Sequence, residues 1–79
     1  MKVKSLFRGI FNYQRSVHKP IYRYTYSAYQ AWMLMTRTIA KEQGVDERMV
    51  RNYFPWVEGG KSQNYEITIE TEFKEDDNG

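Results

Sequence analysis

Seventy-nine residues, 41% hydrophobic and 16% aromatic, suffice for one domain with a small core. There is no cysteine, which excludes disulfides, thiolate metal sites and a cysteine nucleophile, and favours a cytoplasmic setting. The net charge of +2 hides an asymmetry: residues 1–63 carry eleven Lys and Arg against four acids, and residues 64–79 one Lys against six. The basic body suits a polyanionic partner, or else the two ends compensate each other across one sheet.

No apolar run approaches the roughly 20 residues of a membrane span, so no membrane partner is expected. The start, MKVKSLFRGIF, has no sustained apolar stretch and no small-residue cleavage site, and does not read as a signal peptide. Residues 3–13 read as a strand. Val3, Phe7, Phe11 and Tyr13 share one parity and Lys4, Arg8 and Asn12 the other, while Leu6 and Ile10 break the alternation and point to a bulge near Gly9. Residues 14–19 are polar and read as a hairpin connection, and Pro20 suits the start of the next strand. That strand, IYRYTY, alternates strictly, with Tyr22, Tyr24 and Tyr26 on one face and Ile21, Arg23 and Thr25 on the other.

Ser27 with Gln30 is a capping-box pattern that opens a helix over residues 28–43, with Ala28, Ala31, Trp32, Met35 and Ile39 as its apolar stripe and Gly44 as its stop. Residues 46–54 read as a second, shorter helix with Asp46 and Glu47 in its first turn, ended by Pro55. A loop containing Gly59 and Gly60 follows. Residues 65–73 form the clearest strand, with Tyr65, Ile67, Ile69, Thr71 and Phe73 on one side and Glu66, Thr68, Glu70 and Glu72 on the other, before a frayed acidic tail at about 74–79. The predicted domain is α+β, of order β-β-α-α-β. A three-stranded antiparallel sheet is packed on one face by a long helix plus a short one. The last strand pairs with the first or extends the hairpin's other edge, which puts its acidic face beside Lys4, Arg8 or Arg23.

Residues 36–54 resemble the helix-turn-helix motif of bacterial and phage repressors. Ala40 and Gly44 have the motif's small-residue and turn spacing, and Ile39, Val45, Val50 and Tyr53 fill its apolar anchor positions. The resemblance implies that the second helix enters the DNA major groove, presenting Asp46, Glu47, Arg48, Arg51 and Asn52, with Lys41 near a phosphate. The nucleic-acid candidates are therefore Lys41, Arg48, Arg51 and Asn52.

The tyrosine row lies among Arg8, Arg15, Lys19 and Arg23. Facing outward it would stack single-stranded nucleic acid. Facing the helix it is core, which is the expected arrangement because Ile21, Arg23 and Thr25 make the poorer core face. Phe54, Trp56 and Val57 either form an exposed aromatic patch for a protein partner or close one end of the core. With Glu66, Glu70 and Glu72 of the last strand, Phe54 and Trp56 are the candidate protein-binding residues.

His18, the lone histidine, reads as a surface residue. Gly59-Gly60-Lys61-Ser62 lacks the upstream glycine and the flanking elements of a phosphate loop. No cofactor, metal or catalytic residue is expected. The expected function is non-enzymatic binding of DNA or RNA. The alternatives are a protein-binding accessory or inhibitor protein, and a small subunit of a larger assembly. In size and style the chain resembles accessory proteins of phages and mobile elements, some of which inhibit host nucleases or defence complexes.

Overall fold

The first strand is the hub of the sheet. The computed structural model describes residues 3–13, 16–17 and 20–72, and of Tyr13, Ser16, Val17, Thr71 and Glu72 it describes the backbone. Strand β1 (Ser5–Tyr13) pairs antiparallel with the two-residue β2 (Ser16–Val17), with β3 (Ile21–Thr25) and with β4 (Tyr65–Glu72). From Ser5 to Gly9 it is flanked on both edges, by β3 and by β4. Helix α1 (Ala28–Gln43) packs on one face of this sheet, and the shorter α2 (Glu47–Tyr53) packs on α1. This is the expected α+β arrangement, with β4 settled against β1 and the return limb of the first hairpin broken into β2 and β3. The rest of the predicted connection (residues 14, 15, 18 and 19) lies outside the described residues, and so does the predicted acidic tail.

The core follows the two periodicities. Phe7 and Phe11 of β1 and Tyr65 and Ile67 of β4 meet Ala31, Trp32, Met35 and Ile39 of α1, and Val50 and Phe54 close the far side. Phe11 stacks on Tyr65 with ring centroids 5.1 Å apart and meets Phe54 edge-on at the same distance. Gly9 lies between the two phenylalanines, and a Cβ there would overlap the Met35 thioether sulfur. The missing side chain is what lets α1 approach. Pairing through Gly9 is regular, opposite Ile21 and Ile67, so the bulge expected there is displaced. It falls between Leu6 and Phe7, which pair with Thr71 and Ile69 and leave Glu70 as the extra residue of β4.

The predicted orientation of the tyrosine row is reversed. Tyr22, Tyr24 and Tyr26 are 43%, 39% and 50% exposed, whereas Thr25 is 3% exposed. The cause is register. Tyr22 pairs with Arg8 and Tyr24 with Leu6, on the face opposite Phe7 and Phe11. Burying both phenylalanines therefore fixes the tyrosines outside. The poorer face of β3 meets α1 by hydrogen bonding instead: an Arg23 Nη donates to Thr38 Oγ1 at 2.6 Å.

Both helices are capped as their residues require. The Gln30 N–H donates to Ser27 Oγ at 3.1 Å, and the Tyr26 N–H donates back to Gln30 Oε1 at 3.0 Å. Gly44 takes φ 70°, and the Val45 N–H donates to the Ala40 carbonyl at 3.0 Å. Helix α2 begins one residue later than expected because Asp46 is its cap, accepting from the Arg48 N–H at 2.8 Å. Among the described residues no helix is long and apolar enough to cross a membrane.

Candidate nucleic-acid interface

The corner between α1 and α2 has the small-residue turn that its sequence predicts. Ala40 and Val50 are buried on either side of it, with Ile39 beside them and Val45 half-buried. Tyr53, expected as an anchor, is 51% exposed; Phe54, fully buried, takes that place because the chain turns inward ahead of Pro55. Lys41 and Asn52 are exposed, and the Arg48 side chain is 87% exposed with Asp46 at 3.8 Å.

Arg51 is different. Its Nε donates to Thr36 Oγ1 at 2.9 Å and an Nη donates to the Met33 carbonyl at 3.1 Å. The same group lies 3.1 Å from Glu47 and its guanidinium 5.8 Å from the Trp32 ring centroid. Arg51 thus clamps α2 onto α1, while Glu47 also pairs with Arg37 at 3.3 Å. Met49, 61% exposed, completes the outward surface of α2 and was not singled out from the sequence. Its place three residues from the helix cap, off the Val50 line, was the available signal.

The aromatic segment after α2 closes the core. Phe54 has no exposed surface, its carbonyl accepts from Trp32 Nε1 at 2.9 Å, and Trp56 is half-buried between Tyr29 and Trp32. Phe54 is therefore not an exposed partner contact, and Trp56 offers one edge. The Tyr65 hydroxyl fastens the segment, donating to the Pro55 carbonyl at 2.9 Å and accepting from the Val57 N–H at 3.1 Å. Burial pushes the Tyr65 phenol up from its ordinary value, and the Val57 hydrogen bond acts weakly the other way.

The face of the sheet away from the helices is the remaining surface. Tyr22 and Tyr24 stand on β3, Leu6, Arg8 and Ile10 along the middle strand, and Glu66 and Thr68 opposite them on β4. Lys4 Nζ lies 5.4 Å from the Tyr26 ring centroid. Arg8 Nε is buried without a hydrogen-bond partner, and the bulge residue Glu70 comes only to 3.7 Å of it. Desolvation raises the Tyr24 phenol above its ordinary value. Glu66 is 3.8 Å from Lys61. Of the basic residues expected around the row, Arg23 points to the helix, and Arg15 and Lys19 lie outside the described residues, as do His18 and the Glu72 side chain. No protein-family model matches this chain, and comparison with curated proteins and with solved structures finds no significant match.

Proposed function

We propose that the chain is a non-enzymatic, cytoplasmic nucleic-acid-binding protein that holds single-stranded nucleic acid on the open face of its sheet. The observation that carries this reading is the outward tyrosine row beside Arg8, whose Nε is buried without a hydrogen-bond partner. Each base has an apolar π-face, and stacking on an aromatic side chain contributes about 1–3 kcal/mol per base without regard to sequence. Arg8 supplies a planar cation in the middle of the face, Lys4 a second charge at its edge, and residues 1–63 an excess of eleven basic residues over four acids that draws the polyanion in. Bases that splay over Tyr22 and Tyr24 leave their phosphates within reach of these cations.

A second reading places duplex DNA on α2, through Lys41, Arg48 and Asn52. It is favoured by the turn at Gly44, which has the tight left-handed geometry that such a two-helix unit needs. The inward engagement of Arg51 and the seven-residue length of α2 leave it fewer contacts than the sequence offers.

Fluorescence anisotropy with a labelled single strand and a labelled duplex, at low and physiological salt, separates the two. The first reading expects tighter binding to the single strand, weakening with salt, and lost in Tyr22→Ala/Tyr24→Ala while the fold is kept. Binding to duplex that is lost instead in Arg48→Ala/Asn52→Ala establishes the second. Absence of binding to both at low salt refutes both and turns attention to a protein partner at Met49, Tyr53 and Trp56.

A further inference from the structure

We propose that the cleft at the upper end of the open face is a base-reading subsite selective for guanine. This rests on the reading that single-stranded nucleic acid lies on that face. The cleft has a volume of about 150 Å³ and is lined by Ile10, Asn12, Ser62, Gln63, Tyr65 and Glu66. Ile10 and Asn12 continue the outward row of Leu6 and Arg8 along β1, and Glu66 stands opposite Ile10 on β4. At ~3.3 Å per residue, Asn12 is about 13 Å along the strand from Arg8, a reach of one or two nucleotides.

The wall of the cleft is held in place. The Ser62 N–H donates to the Tyr65 carbonyl at 2.9 Å, the Asn64 N–H to Ser62 Oγ at 3.1 Å, and the Asn12 N–H to the Asn64 carbonyl at 2.9 Å. These bonds use main-chain groups and one hydroxyl. Among the described residues the side-chain amides of Asn12 and Gln63 make no hydrogen bond, and the Glu66 carboxylate has only the solvent-screened Lys61 at 3.8 Å. The residues that line the cleft thus include one carboxylate, two side-chain amides and the aliphatic Ile10.

That donor and acceptor set selects among bases. A carboxylate accepts two parallel N–H bonds. Guanine presents two adjacent donors, N1–H and the 2-amino group, with the O6 acceptor beside them for an amide N–H. Adenine turns the N1 lone pair toward the carboxylate. Uracil and thymine offer a single N–H between two carbonyls, and cytosine offers one amino group beside two acceptors. A carboxylate in an otherwise anion-attracting face is unfavourable to a phosphate and favourable to a base edge, and Lys61, 67% exposed, stands ready for the neighbouring phosphate.

The test is an anisotropy titration of the full chain with a uridine octamer and three derivatives carrying one central guanine, inosine or adenine. The expected order is guanine over adenine by about tenfold, with inosine, which lacks the 2-amino group, between them. Glu66→Gln, at an exposed position, should keep the melting temperature and the affinity for plain octauridine and lose the guanine preference. Equal affinity for the guanine and adenine octamers overturns the subsite. When that binding is still lost in Tyr22→Ala/Tyr24→Ala, the stacking face survives the result. A guanine preference that persists unchanged in Glu66→Gln also overturns the subsite. Failure of every octamer to bind overturns the subsite and the face together.

Discussion

Arg48 and Arg51 stand three positions apart on α2 and play opposite parts. Arg51, with 21% of its side chain exposed, joins Thr36, Met33 and Glu47 in one set of bonds, and its removal takes one donor from the Thr36 hydroxyl and one from the Met33 carbonyl, which keeps the bond from Thr36. Arg51→Ala should cost about 1–3 kcal/mol in urea unfolding, with Arg51→Lys recovering only part, because an ammonium cannot reproduce the planar fork. Arg48→Ala, at a largely solvated site, should stay within ~0.5 kcal/mol of the parent. The Tyr65 phenol makes a pH prediction. Its folded pKa is raised above 10.0, so its contribution is complete below the unfolded value and is lost as pH rises through the folded one. Stability measured by denaturant titration should hold through neutral pH and fall above about pH 10. Tyr65→Phe should start from a lower stability and show a shallower alkaline decline.

Strand β3 illustrates where one-dimensional reasoning stops. IYRYTY alternates equally well with either face inward, and side-chain apolarity favours the tyrosines as core. What decides is the pairing of Tyr22 with Arg8 and Tyr24 with Leu6, a relation between strands that no single segment carries. The Glu70 bulge is hidden for a similar reason, since EITIETE alternates without a break and only the ladder to Leu6 and Phe7 reveals the extra residue. The limits of α1, by contrast, were legible, because Ser27 and Gly44 act locally as caps, and those of α2 were legible to within one residue, Asp46 proving to be its cap rather than part of its first turn. The candidate interface was legible as a composition, tyrosines near bases, and not as a place. Two substitutions test these assignments by urea unfolding. Tyr22→Ser/Tyr24→Ser should cost roughly 0.2–1 kcal/mol per lost cross-strand pair, far below the 3–5 kcal/mol of a truncated core aromatic. Gly9→Val should cost about 1–3 kcal/mol by driving into the Met35 thioether, and the combination with Met35→Ala should be less damaging than the two changes summed.

Across the molecule, charge and topology run in the same direction. All but one of the basic residues precede position 64 and six of the ten acids follow it, so β4 brings Glu66 and Glu70 to the edge of a face whose other strands are basic or neutral. Affinity for a single strand should accordingly fall along a straight line in log salt, with a slope set by the few phosphates in contact. The pairing of β1 with β4 has a consequence in time. Phe11 meets Tyr65 and Ser5 meets Glu72, so the first strand waits for the last, across a loop of more than fifty residues. Such remote pairing is slow to nucleate. On the ribosome, the hairpin and both helices emerge while Phe11 and Phe54 still lack the Tyr65 ring that seals them and one edge of β1 is still bare. The nascent chain thus carries a sticky, half-built sheet until β4 clears the exit tunnel. Unpaired strand edges and bare apolar surface make the nascent chain prone to aggregation in that interval.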